Sequence, residues 1–159
     1  MLSEFILNFK SCLLSTLTKE NLPFSSYAPF ICYNHCYYIF ISDIAKHSKN
    51  LKNNPHLSLF FIEDESMCEN IFARKRVQLD AKAQLINKES ETFSTVIKLF
   101  EEQHGATVNI LKKMSDFKLF EITPSSGEAV FGFGKAYNVG GKHCNELLQR
   151  EGVKGHQSK

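Results

Sequence analysis

The sequence predicts a mainly β fold: an antiparallel barrel of six or seven strands with flanking helices. Short runs rich in aromatic and β-branched residues are separated by turn residues, the pattern of a meander. Only two segments, near 42–52 and 88–103, carry a helical period long enough to pack outside a barrel. The order of elements is also not the alternating strand–helix order of a parallel sheet.

Leu2, Phe5, Ile6 and Phe9 fall at helical spacing, so a short amphipathic helix opens the chain. Strands follow over 11–18, 24–33 and 37–42, broken by Lys19–Pro23 and by Asn34-His35. The period then changes. Ile44, Ala45, His47 and Leu51 fit a helix that begins near Ser42-Asp43 and stops before Asn53-Asn54-Pro55. A buried strand spans 57–62, the acidic stretch Glu63–Glu69 reads as a solvated loop, and a long strand covers 72–86. Phe93, Val96, Ile97 and Phe100 form one stripe of a helix over 88–103, with Gly105 as its stop. A short helix near 107–113 precedes a hairpin, 117–124 and 129–139, closed by Ser-Ser-Gly. The polar segment 140–159 reads as a tail with a helical turn or two around Asn145–Arg150. No repeat or linker divides the chain, so 1–139 is a barrel domain and 140–159 a tail belonging to it.

A length of 159 residues suits one domain, and 14 Phe supply enough aromatic surface to fill its core. A net charge of +2 gives no general attraction to nucleic acid or to a membrane surface. There is no basic, apolar leader and no run of about 18 apolar residues, so a cytoplasmic location is expected. Five cysteines at irregular spacings then read as free thiols. Cys32 and Cys36 lack a second ligand pair for zinc, and no glycine-rich phosphate loop is present.

Several colinear segments carry a family likeness. The run Ile41–Phe60 resembles the strand–helix–strand signature of the pyridoxamine-phosphate-oxidase-like split barrels. More narrowly, Ser26–Phe30, Ser42–Leu51, Ile62–Glu65, Phe72–Arg76, Ser115–Phe117, Gly132–Tyr137 and Gly155-His156 resemble the HugZ/HutZ heme-utilisation family. The resemblance implies a split barrel that forms a homodimer, with its ligand site along the subunit interface. Some relatives in the wider superfamily bind flavin mononucleotide (FMN) there. The heme-utilisation members bind heme through a His close to the C-terminus, and several cleave it. The chain lacks the extra helical domain of longer members and resembles the short form.

The residue chemistry is compatible with an anionic, iron-bearing ligand. Of six histidines, His47 reads as packed or capping, and His35, His56 and His104 as structural or solvated. His143 and His156 lie in the tail, and composition alone singles out neither. The family pattern singles out His156 as the axial ligand of heme iron; otherwise Gly155-His156 is an ordinary polar chain end. Arg74, Lys75 and Arg76 are the densest basic cluster, and on a strand Arg74 and Arg76 share a face. Two guanidiniums can grip heme propionates or a flavin phosphate, and an exposed basic edge strand would look the same. The resemblance places Asp116 as the hydrogen-bond partner of the ligating His, from the other subunit; by itself it reads as a turn residue. In Val130–Tyr137 the small residues Val130, Gly132, Gly134 and Ala136 alternate with larger ones, suiting a flat ligand, a partner chain or a barrel corner. Ser42 and Lys46 loosely match a flavin-phosphate contact at a helix start, although the Asp43 carboxylate would repel the phosphate.

The expected function is therefore heme binding with oxidative ring opening to a biliverdin-type product and release of iron. A heme carrier or store, or an FMN-dependent oxidoreductase, is the alternative. No side chain reads as an obligatory acid or base, and the sequence names no electron donor.

Overall fold

A computed structural model describes residues 1–150 of the chain. Its elements are helix α1 (Leu2–Leu7), strands β1 (Ser11–Leu17), β2 (Pro23–Tyr33) and β3 (Cys36–Ser42), and helix α2 (Lys46–Asn53). Strands β4 (His56–Ile62) and β5 (Arg76–Leu85) and helices α3 (Glu91–His104) and α4 (Thr107–Leu111) follow. Strands β6 (Phe117–Val130), β7 (Ala136–Gly140) and β8 (Glu146–Gln149) end the described chain. Strand order is β3-β2-β1-β4-β5-β6, and β6 returns to pair with β3, so six antiparallel strands close a barrel. Strands β7 and β8 extend the sheet outward from β6.

The period of two sorts the side chains. On β1, Cys12, Leu14 and Thr16 point inward and Leu13 outward; on β5, Val77 and Leu79 point inward between Arg76, Gln78 and Asp80. Leu14, Ile39, Leu59, Val77, Leu79 and Ile122 fill the barrel, together with Phe30, Phe61 and Phe120, and α1 adds Leu2 and Ile6 to the same core. A second core lies outside the barrel, where the predicted stripe Phe93, Val96, Ile97 and Phe100 of α3 covers Ile31, Tyr38, Phe40 and Leu119. The Ser90 hydroxyl caps α3 by accepting the Phe93 N–H at 3.1 Å, and Gly105, at φ 82°, ends it.

Four expectations are corrected. Ser125-Ser126-Gly127 is not a hairpin turn: β6 runs through it, with an irregularity opposite Asp80/Ala81 that bends the strand around the barrel. The chain reverses later, at Phe131–Lys135, where Phe131 N–H donates to Lys135 O at 2.9 Å. Asn145–Arg150 is not helical, since Glu146–Gln149 pair with β7 as a strand. Helix α2 begins at Lys46 rather than near Ser42-Asp43, and Asp43 accepts from Ser48 and pairs with Lys52 instead of capping. The strand expected from residue 72 begins only at Arg76; Ile71–Ala73 form a single 3-10 turn capped by Asn70.

Gly127 carries the β6 crossing. A Cβ there would lie 2.2 Å from the Gln78 carbonyl oxygen and 2.9 Å from a Leu79 methyl. The first contact is backbone and cannot rotate away. Gly127→Ala is expected to cost about 2–3 kcal/mol, as overpacking does in a close-packed core. Urea unfolding checks this, and an unchanged midpoint would contradict it.

Candidate functional site

The Phe131–Lys135 turn is held from below. Phe131 packs edge-on against Phe5 of α1 at 5.4 Å and lies 6.5 Å from Tyr137. Gly132 (φ 137°) and Gly134 (φ 68°) take backbone conformations that side-chain-bearing residues rarely adopt. The turn thus stands beside the outer face of β5–β6–β7 and walls a cleft of about 370 Å³. Phe60, Gln78, Glu128, Val130 and Ala136 line the cleft, with Phe72 and Phe133 beside them. Both of these phenylalanines are largely exposed, at 83% and 66%. Arg76 and Arg150 bring guanidiniums into the same cleft. The small residues Val130, Gly132, Gly134 and Ala136 do share this site, but across a turn rather than along one strand face.

The basic cluster divides. Arg74 precedes β5, so it does not share a strand face with Arg76. Its Nε donates to the Glu63 carbonyl at 2.5 Å, and its Nη1 pairs with Glu65 at 3.0 Å. Lys75 lies 3.7 Å from the Glu63 carboxylate. The acidic stretch is the largely exposed loop its composition predicts, but Glu63 and Glu65 are paired with these two cations. Arg76 donates to the Arg74 carbonyl at 2.8 Å and has no carboxylate partner among the described residues. Of the three, it alone lines the cleft. Arg150, paired with Glu128 at 3.0 Å, is a cation that sequence reading missed.

Ser42, Lys46 and Asp116 form a separate group at the other end of β6, on the order of 40 Å of strand contour from Val130 at about 3.3 Å per residue. The Ser42 hydroxyl donates to Asp116 Oδ2 at 2.5 Å, and the Asp43 N–H donates to the Asp116 carbonyl at 2.7 Å. Lys46 stands over the Phe24 ring, 4.8 Å from its centroid. A flavin phosphate at this helix start would face the carboxylates of Asp43 and Asp116 and find the Ser42 hydroxyl already donated. The residues present do not fit that group. His156 lies outside the described residues.

His47 is packed, as its pattern predicts: Nδ1 lies 2.9 Å from the Ser26 hydroxyl, and burial holds its pKa below the ordinary 6.5. The fold therefore favours neutral His47, and that contribution is present above about pH 6.5 and lost as pH falls below it. The melting temperature is expected to fall between about pH 7 and pH 5, and His47→Gln to flatten part of that slope. Identical slopes in both proteins would contradict this assignment.

The family model described as Pyridoxamine 5'-phosphate oxidase matches residues 2–131. The heme oxygenase HutZ of Vibrio cholerae is 37% identical over 150 residues, covering 94% of this chain and 85% of HutZ. The crystal structure of Vibrio cholerae HutZ, there described as a heme storage protein, superposes with a TM-score of 0.74 at 37% identity, over 77% of this chain and 87% of that one. Campylobacter jejuni ChuZ superposes with a TM-score of 0.86 at 33% identity, over 99% of this chain. The chain spans only 63% of the ChuZ length.

Proposed function

This chain belongs to the HutZ/HugZ family of the pyridoxamine 5'-phosphate oxidase-like split barrels, and from that premise we propose that it binds heme and opens its ring oxidatively. Heme is then ligand and substrate, dioxygen is the oxidant, and electrons come from an external donor. A biliverdin-type product, the excised meso carbon as a one-carbon fragment, and iron leave. The reading is supported above all by the 37% identity, over nearly the whole chain, to a relative named as a heme oxygenase. The cleft is compatible with it: Phe60, Phe72 and Phe133 offer flat apolar surface, and Arg76 offers a cation to a propionate.

In this reading His156 ligates the iron and Asp116 of the partner subunit accepts a hydrogen bond from its far nitrogen. Ser42 occupies Oδ2 of Asp116 and, among the described residues, Oδ1 has no donor, so the role of Ser42 moves from phosphate contact to orienting Asp116. With the two groups separated along β6, this reading requires a homodimer. Its interface would use the outer row Tyr27–Leu13–Phe60, neighbours across β2, β1 and β4, in which Tyr27 and Leu13 are exposed. Sedimentation equilibrium should show a dimer that Tyr27→Glu with Leu13→Asp dissociates; a monomeric native protein would rule the dimer out.

A heme store is the second reading, favoured by the description attached to the Vibrio cholerae structure. Hemin titration tests what both readings share: a saturable Soret shift with one heme per chain is expected. Its absence, or co-purification of tightly held flavin, would reject heme as the native ligand. Incubation of the complex with a reductant in air separates the two, since a store leaves the macrocycle intact.

A further inference from the structure

Arg150 follows β8 and reaches back over the sheet into the cleft. Its Nη2 lies 3.0 Å from Glu128 Oε1 as an ion pair, while its Nε is buried with no acceptor among the described residues. An unpaired buried guanidinium N–H is costly, and the geometry leaves that donor for something that enters the cleft. The register shows what. Arg76 pairs with Val130 and Val130 with Ala136, while Tyr137 pairs with Gln149. Continuing that last pairing by one residue sets Arg150 opposite Ala136. Arg76 and Arg150 thus end one row, about 14 Å apart at the usual strand spacing, with only Val130 and Ala136 between them. Two long, forked cations lean over two small side chains.

We propose that Arg150 and Arg76 are a carboxylate-gripping pair that orients a dicarboxylate ligand in the cleft, one carboxylate to each guanidinium. This rests on the heme reading, and adds that Arg150, rather than Arg74 or Lys75, is the second propionate anchor. Arg150 serves through its Nε and the neighbouring Nη, the fork that matches a carboxylate in plane. Glu128 holds Arg150 in place while the cleft is free and competes with the ligand for it. Arg150 is a positioning residue for the porphyrin and has no part in ligating iron.

Iron-free protoporphyrin IX and its dimethyl ester, titrated by fluorescence into the full chain, read this independently of His156. The wild-type protein should prefer the free diacid. Arg150→Gln should weaken the diacid about tenfold, the scale of a lost charge-assisted hydrogen bond, and leave the ester unchanged. Arg150→Lys, which keeps charge but loses the fork, should fall between them, and Glu128→Gln should bind the diacid more tightly than wild type. An Arg150→Gln variant that matches wild type for the diacid, or loses diacid and ester equally, overturns the proposal. So does an effect confined to FMN, which would mark the pair as a phosphate site. A wild-type protein that binds hemin but neither iron-free porphyrin overturns the proposal, whereas one that fails to bind hemin as well refutes the heme reading itself.

Discussion

Replacing Phe61 by alanine is expected to destabilise the fold by about 3–5 kcal/mol, the range for emptying a large aromatic site in a core. Phe61 is 1% exposed and stands at the centre of the barrel's aromatic cluster. Its ring lies 5.3 Å from Phe30, 5.8 Å from Tyr37 and 5.9 Å from Phe9, so three neighbours from separate segments lose contact together. A barrel closed by hydrogen bonds on every side cannot collapse easily into the space, which keeps the cost near the top of the range. At about 2–4 °C per kcal/mol, the melting temperature should drop by roughly 10 °C or more. Phe61→Leu, which refills most of the volume, should cost about half as much or less. A loss under about 1 kcal/mol for the alanine variant would show that the barrel interior is loosely packed.

The second large effect concerns the ligand. His156→Ala should abolish the spectrum of ligated heme and weaken hemin binding by about a hundredfold, since even the partner of a ligating His is worth about ten- to a hundredfold. Asp116→Asn should fall in that lesser range, with the ligated spectrum shifted rather than lost. An unchanged hemin spectrum in His156→Ala would move the ligand assignment elsewhere, and His35 and His143 would be next. Their rings stack 3.9 Å apart at the end of the barrel, away from the Arg76 cleft.

What could be read in the sequence was what local chemistry controls. The stripe Phe93–Phe100 and its Gly105 stop depend on neighbours a few residues away and appear as expected, although the helix starts at Glu91, capped by Ser90, rather than at residue 88. Strands β1 and β4 show the same, because their alternation is written into each strand, whereas β3 is legible as an unbroken aromatic and β-branched run buried on both faces. Ser125-Ser126-Gly127 misled because turn residues were present for a different cause. Gly127 is glycine because the Gln78 carbonyl passes too close for a Cβ, a contact between residues 49 positions apart. Arg74 looked available because its partners, Glu63 and Glu65, sit in a loop whose fold-back no periodicity signals. Arg150 was missed for a related reason. Glu-Leu-Leu-Gln carries no strand alternation, and only the pairing of β8 with β7 carries the next residue into the cleft.

Heme degradation is tested most directly by the fate of the macrocycle. The protein loaded with hemin is reduced under labelled dioxygen, with catalase present to remove free peroxide. The tetrapyrrole is then recovered for mass analysis while a chelator traps ferrous iron. A linear tetrapyrrole carrying the label, with iron released in step, is the predicted result. Recovery of intact, unlabelled porphyrin, with the Soret band unchanged, would contradict it.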